Sequence, residues 1–210
     1  MKEISEIIIY LLNKDKKLSY ILDKNIECPI LKQPRLNNNN LFRNLSRSIV
    51  GQQLSNKAAA SIWKKLNINI KTPKEFINKI LKINISQAKK IGISRPKLIY
   101  IKEIAKKVNK NQFVFSKLAN LSNEDAIKKL TELKGVGVWT AEMFLIFELK
   151  RQNIFAFEDA GLRRAIKLLY NISELSDNQL KRITNKWSPH KSIVSWYLWR
   201  ALDSKKLNDI

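Results

Sequence analysis

Residues 133–141, with the sequence LKGVGVWTA, are the most informative stretch of the chain. Two of the five glycines, Gly135 and Gly137, lie in it, between segments with helical spacing at 124–133 and 139–147. Glycine at both positions lets the backbone turn tightly and approach another surface closely. The following helix would present N–H groups and a positive dipole end. We predict a hairpin between two helices that binds phosphate without reading base sequence; an ordinary helix-helix turn is the alternative.

The rest of the chain also has helical character. Apolar residues recur at helical spacing nearly throughout, and five glycines and five prolines leave few turn signals. Two helix starts are recognisable, Thr72-Pro73 followed by Glu75, and Ser176 followed by Gln179. We therefore predict an all-α protein with two helical lobes. The predicted helices span roughly residues 3–13, 41–50, 55–66, 73–81, 95–109, 123–133, 139–150, 160–170, 177–186 and 190–203. The asparagine run at 37–40 is predicted to be a surface loop.

The charge of the chain favours a polyanionic partner. It has 40 Lys and Arg against 18 Asp and Glu, a formal charge of +22 and a pI near 10.1. Nucleic acid is the first candidate. A low-GC genome would also enrich Lys, Asn and Ile, but it would not make acidic residues scarce.

Several functional classes are excluded by composition. The single cysteine, Cys28, excludes an internal disulfide framework and any four-cysteine zinc site or iron–sulfur cluster. The single histidine, His190, leaves little for a metal site or a triad. No apolar run approaches the roughly 20 residues of a membrane span. We predict a cytoplasmic, nucleoid-associated protein without metal ligands or membrane partner.

Four ordered motifs resemble one family. Besides 133–141, they are FAFEDAGLRR at 155–164, SIVGQQLS at 48–55 followed by alanines at 58–60, and WSPHKS at 187–192 leading to WYLWR at 196–200. Together they resemble the helix-hairpin-helix DNA glycosylase superfamily, in its 3-methyladenine DNA glycosylase II branch, over roughly residues 41–203.

This resemblance implies an arrangement of the helices. Two helical lobes would flank a DNA-binding cleft, and the N-terminal β-rich domain of some relatives would be absent. One lobe would combine residues 1–40 with 135–210, and the other would contain residues 41–134. Double-stranded DNA with a damaged base would be the partner, bound by a monomer.

Asp159 is the predicted catalytic residue. It lies 22 residues beyond Gly137, at the start of a predicted helix, and the family's aspartate at this motif position is catalytic. A carboxylate there stabilises an oxocarbenium-like sugar and helps to orient or deprotonate water. The alternative is that Asp159 only caps the helix. Adjacent Glu158 is interpreted as a solvated or structural acid.

The resemblance also indicates the type of reaction. An alkylated purine already carries positive charge, so it leaves with little acid assistance and one carboxylate suffices. Relatives with lyase activity have a nucleophilic lysine just after the hairpin, where residues 138–140 are VWT. We predict a monofunctional glycosylase that uses water and leaves an abasic site.

Other site residues follow from the same resemblance. A flipped base leaves a gap, and Gln53, then Leu54, is predicted to fill it. The predicted DNA contacts are Gln53, Leu54, Ser94, Lys134, Gly135, Val136, Gly137 and Thr140. The predicted base pocket contains Trp139, Met143 and Trp199, and the aromatic faces of the two tryptophans would attract a cationic base. Local capping by Gln53 or Ser94 and core packing by Trp139 are the alternatives. No cofactor is expected, although hairpin carbonyls could hold Na⁺ or K⁺.

Two other functions remain open at this stage. A non-catalytic DNA-binding protein would keep the hairpin but would have no use for a carboxylate facing a polyanion. A uracil or mismatch glycosylase would need a pocket richer in hydrogen-bonding side chains, because its leaving base is neutral.

Overall fold

The computed structural model describes residues 2–34 and 36–208, and within them the chain forms α-helices and short 3₁₀ segments but no strand. The all-α prediction is confirmed. The α-helices are α1 (Lys2–Lys14), α2 (Asn38–Gly51), α3 (Asn56–Leu66), α4 (Pro73–Lys82), α5 (Ile85–Ile91), α6 (Arg95–Asn109), α7 (Asn123–Thr131), α8 (Val138–Phe147), α9 (Ala160–Tyr170), α10 (Asp177–Asn185) and α11 (Lys191–Asp203). Over these same residues, no helix has the length and apolar character needed to cross a membrane.

The chain divides into two compact units, one of residues 34–144 and one that joins residues 1–33 to residues 145–210. The division differs from the predicted boundaries after residues 40 and 134, because residues 34–40 as well as the hairpin and most of α8 belong with the central unit. The Gly135 carbonyl accepts a hydrogen bond from the Gln52 side chain, and the Phe144 ring lies 5.4 Å from that of Phe115.

The unit of residues 34–144 is built around α2 and α6, which pack against each other and against α4. The buried positions of α2 recur at three- and four-residue spacing, so one face of the helix is removed from water. Phe76 of α4 is fully buried, with ring centroids 5.8 Å from Phe42 and 5.4 Å from Trp63. Burial of one such ring stabilises the fold by about 1.5–3 kcal/mol. These helices form the support for the turn at 52–55.

The unit of residues 1–33 and 145–210 is built around α9 and α11, which pack together. The N-terminal segment is attached to it through Asp15, a buried carboxylate that accepts hydrogen bonds from the Tyr170 hydroxyl and the Trp187 indole. Burial, together with the neighbouring Asp15 carboxylate, raises the pKa of Tyr170. The Asp15 carboxylate therefore fixes the C-terminal end of α9 through Tyr170.

The predicted helix starts at Thr72 and Ser176 are both found. Ser176 and Gln179 form a complete capping box, as predicted. Thr72 accepts a bond from the Glu75 N–H, but the Glu75 carboxylate accepts the N–H of Lys71, one residue before the cap. Both arrangements satisfy N–H groups that a helix start leaves without intrahelical partners.

The asparagine run was predicted wrongly as a loop. Asn37 is the N-cap of α2, where its side chain accepts the N–H groups of Asn39 and Asn40. Asn38 lies in the first turn, and its side-chain oxygen accepts the N–H of Phe115 at 2.6 Å. Asparagine is a favourable cap residue, so a polar run can begin a helix without being a loop.

Helix α5 was missed by the sequence analysis. It has only seven residues, which is too short for apolar periodicity to be visible. Its signals are local instead: Asn84 and Gln87 form a capping box, and Gly92 ends the helix at φ 96°.

Candidate active site

The glycine hairpin joins α7 to α8, and its two glycines differ. Gly135 has φ 86°, and a Cβ at this position would lie 2.8 Å from Cγ of Tyr100. Both conditions require glycine. At Gly137, φ is not left-handed, and an added Cβ would meet no atom within 4 Å. The two predicted roles of glycine are therefore divided between the positions: the tight turn requires Gly135, while Gly137 leaves open space beside the backbone that another surface can approach.

A depression of about 740 Å³ lies beside this hairpin. It brings together most of the predicted DNA contacts, since its lining contains Gln53, Ser94, Gly135, Val136, Gly137 and Thr140, together with Trp139 of the predicted base pocket. Gln53 is exposed, and Ser94 is an exposed N-cap whose hydroxyl makes no cap bond. Leu54 lies outside the lining but is also exposed. Residues separated by more than 80 positions thus share one concave surface.

The turn that carries Gln53 is connected to the hairpin by its neighbour Gln52. The Gln52 side-chain amide donates to the Gly135 carbonyl at 2.9 Å and to the Thr140 hydroxyl at 3.2 Å. Gln53 itself has φ 57°, a left-handed conformation that disfavours residues other than glycine. The turn therefore holds Gln53 in an unfavourable backbone conformation, supported by bonds from its neighbours.

Two predicted DNA contacts have buried side chains. Thr140 is 4% exposed, and its hydroxyl accepts a hydrogen bond from the Gln52 side-chain amide, so its side chain packs inside the unit. The Val136 side chain is also buried, and its N–H donates to the Leu133 carbonyl. Both residues had been assigned from the hairpin motif, which does not distinguish inward from outward side chains. Lys134 is exposed, as a phosphate contact requires.

Most of the basic charge of the chain belongs to the unit that contains this hairpin. Residues 34–144 contain 22 Lys and Arg against six Asp and Glu, and so carry +16 of the formal +22. Coulombic attraction to a polyanion is strongest where one sign of charge dominates a unit. The unit that holds the hairpin is therefore the more strongly basic of the two.

Asp159 lies at the N-cap of α9, in the other unit, and is half-buried. Its Oδ1 accepts the Leu162 N–H at 2.8 Å and the Trp199 indole N–H at 3.1 Å. The capping role is confirmed, and the indole bond adds a second constraint on the carboxylate. An added Cβ at Gly161 would lie 3.0 Å from the same oxygen, so glycine leaves room for this arrangement. Glu158 is exposed.

Trp199 reaches Asp159 because α11 packs against α9. Its ring also lies 5.7 Å from that of Phe147, at 36° between planes. The sequence predicted Trp199 only as a pocket wall, and the hydrogen bond to the carboxylate was missed. Trp196 packs edge-on against Tyr197, with centroids 4.9 Å apart, which is a packing role.

Trp139 is 46% exposed, which contradicts the alternative of core packing. It lines the depression beside the hairpin, and Met143, one turn later on α8, is half-buried. These two residues belong to the unit of residues 34–144, whereas Trp199 belongs to the other. A base pocket made from all three therefore stays a prediction.

His190 does not take part in a cluster of ligands. Its Nδ1 lies 3.1 Å from Gln152 Oε1, its ring meets Tyr10 edge-on, and burial lowers its pKa. Across the described residues, no group of three His, Cys, Asp or Glu side chains is placed to hold a metal ion.

Comparison with known families agrees with this geometry. Residues 46–190 match the model of the HhH-GPD superfamily of base excision DNA repair proteins. The chain belongs to this superfamily. DNA-3-methyladenine glycosylase 1 of Schizosaccharomyces pombe is 29% identical over 167 residues, which are 76% of this chain and 72% of that protein.

Two solved HhH-GPD structures are also similar to the chain. A DNA-3-methyladenine glycosidase from Bacillus halodurans is 30% identical with a TM-score of 0.76, covering 93% of this chain and 88% of that one. The 3-methyladenine DNA glycosylase of Schizosaccharomyces pombe in complex with abasic DNA is 25% identical with a TM-score of 0.66, covering 90% and 97%.

Sequence reasoning missed several residues of this HhH-GPD protein. Gln52 lies inside the quoted QQ motif, but only Gln53 was assigned a role. Gly161 lies inside the quoted motif at 155–164 but was assigned no role, and Tyr100 carries no sequence signal of its own, because each matters only for the space beside Asp159 or Gly135. Lys97 follows Arg95-Pro96 and looks like one more surface lysine in a basic chain.

The bond between Trp199 and Asp159 yields a testable prediction. Trp199→Phe keeps a ring beside Phe147 but removes the indole N–H, so we expect base release in single turnover to fall roughly tenfold, the size of one charge-assisted hydrogen bond. Trp199→Ala removes the ring as well and should lose more. A rate unchanged in Trp199→Phe would mean that the indole bond does not serve the carboxylate.

Proposed function

We propose that this chain is a monofunctional DNA glycosylase that removes alkylated bases of the 3-methyladenine type from duplex DNA. The observation that carries the proposal is the Asp159 carboxylate, held by the Leu162 N–H and the Trp199 indole in a member of a base excision superfamily. Similar proteins are named DNA-3-methyladenine glycosylases, which supports the choice of base.

The chemistry requires one carboxylate and water. As the bond between C1′ and the base nitrogen breaks, its electron pair leaves with the cationic base, which becomes neutral. Positive charge develops on the sugar, and the Asp159 carboxylate stabilises it. Water then adds at C1′ and loses its proton, with Asp159 as the nearby acceptor. The products are the free base and an abasic site.

Access to the base depends on the DNA-binding surface of residues 34–144. Lys134, the open space beside Gly137 and the start of α8 are expected to bind backbone phosphate, which positions DNA without choosing a sequence. Gln53 is expected to enter the gap that the flipped base leaves. Exposed Trp139, with Met143 and Trp199, would line the base pocket and favour a cationic base.

The absence of an amine at residues 138–140 supports the monofunctional reaction. This start of α8 has the sequence VWT, so no lysine follows the hairpin to form a Schiff base with the sugar. The protein is further expected to act as a monomer. A Na⁺ or K⁺ ion at the hairpin carbonyls stays a prediction.

The decisive experiment is single-turnover release of methylated purines from alkylated duplex DNA, followed by alkali. We expect free 3-methyladenine, with strand breaks only after the alkali treatment. Strand breaks before alkali would contradict the monofunctional reaction. Tight DNA binding without any release of methylated bases would contradict the choice of base. Release of uracil from uracil-containing duplexes would then indicate another glycosylase, and no release from them would indicate a non-catalytic DNA-binding protein.

A further inference from the structure

Lys97 is bonded to the turn that carries the proposed plug residue. It lies on α6, and its ammonium group donates to the Val50 carbonyl at 2.9 Å and to the Gln52 carbonyl at 2.6 Å. Both carbonyls belong to the C-terminal end of α2, which stops at Gly51. The side chain is half-buried, and burial lowers the pKa of its ammonium group.

A simpler interpretation is that Lys97 only caps a helix end. Helix C-termini leave carbonyls without partners, and lysines often satisfy them. Lys102, five residues later on the same helix, does this with the Leu81 carbonyl at 3.2 Å. Lys97 differs because it donates to the carbonyls of the residues before and after Gly51. The second of these carbonyls belongs to the residue directly before Gln53, whose backbone is left-handed.

The same turn is also bonded to the hairpin. The Gln52 backbone carbonyl accepts from Lys97, while the Gln52 side chain donates to Gly135 and Thr140. Gln52 is therefore attached at both its backbone and its side chain, and Gln53 follows directly. A displacement of this backbone would move Gln53 away from its position beside the hairpin.

We propose that Lys97 is a positioning residue for base flipping: it fixes the backbone at Gln52 so that Gln53 enters the duplex while the hairpin holds the phosphates. The inference rests on the proposed function, because a plug is needed only if a base is flipped. Removal of the ammonium group leaves two helix-end carbonyls without this donor and releases the strained conformation of Gln53. The chemistry at Asp159 is not touched by this change.

The test compares Lys97→Met with the matched control Lys102→Met. Each variant removes one carbonyl-bound ammonium group from α6, but only Lys97 bonds to the turn before Gln53. We expect Lys97→Met to release 3-methyladenine from a fully paired duplex roughly tenfold more slowly, the size of one charge-assisted bond. The loss should shrink when the damaged base is mispaired, since less pairing must then be broken. Lys102→Met should stay within about twofold of the wild type.

A second comparison places the effect at Gln53. If Lys97 acts through Gln53, the change Lys97→Met should cost little once Gln53→Ala has removed the plug, so the two effects should not add. Lys97→Arg can still donate to both carbonyls and should restore most of the rate. Thermal unfolding of each variant shows that the compared proteins are folded at the assay temperature.

Equal losses in Lys97→Met and Lys102→Met, or additive losses with Gln53→Ala, would overturn the inference and leave Lys97 as an ordinary cap. A 2-aminopurine base in the duplex, whose fluorescence rises when it leaves the stack, reports flipping without base release. If the wild type releases no base, the proposed function fails, and this fluorescence still decides the role of Lys97. A wild type that neither releases nor unstacks a base overturns both.

Discussion

Replacement of Asp159 by Asn is expected to lower the single-turnover rate of base release by about a hundred- to a thousandfold, the usual cost of losing one preorganised electrostatic group. Asparagine keeps a side-chain oxygen for the Leu162 N–H and is as good an N-cap as aspartate. It removes only the negative charge that stabilises the developing sugar cation. DNA affinity should be kept or rise slightly, because a charge repelled by phosphate is lost.

Two controls separate this chemistry from helix capping. Asp159→Ala removes the charge and the cap together, and should in addition destabilise the protein by about 1 kcal/mol. Glu158→Gln changes the exposed neighbouring acid and should leave the rate unchanged. Full activity in Asp159→Asn, measured on DNA that the variant still binds, would mean that Asp159 is only the cap of α9.

Alanine at the two hairpin glycines should affect different properties, stability at Gly135 and DNA affinity at Gly137. Gly135→Ala places a methyl group against the Tyr100 ring at a left-handed φ, so we expect it to lower the free energy of unfolding by roughly 2–4 kcal/mol. Gly137→Ala meets no atom of the protein, and its stability should change by no more than about 0.5 kcal/mol. Gly137→Ala should instead lower the affinity for DNA, because its methyl group occupies the space beside the backbone in which the phosphate is expected to bind.

Thermal unfolding and duplex binding at one fixed salt concentration measure these two effects separately. Tyr100→Ala combined with Gly135→Ala provides an internal control, since removal of the ring should recover the part of the loss that comes from the clash. If Gly137→Ala binds DNA as tightly as the wild type, phosphate does not approach the hairpin at that position.

Much of the local structure could be predicted from the chain. The capping box at Ser176, the cap at Asp159 and the glycine turn at Gly135 each depend on residues within a few positions of one another. Their backbone conformations and hydrogen bonds follow from the residue types present. The same reasoning failed for α5, which has its caps but too few turns to show a period, and for Asn38, whose role depends on distant Phe115.

The sequence alone determined that this protein is helical, that it turns at Gly135 and that Asp159 begins a helix. Only the tertiary structure determined which side chains of these elements form hydrogen bonds with one another. The Trp199 bond to Asp159 spans 40 residues, the Lys97 bond to Gln52 spans 45, and the Gln52 bond to Gly135 spans 83. Such bonds form only after helices pack, because the packing of buried faces determines which distant polar side chains come within hydrogen-bond distance. No local sequence pattern predicts these pairs.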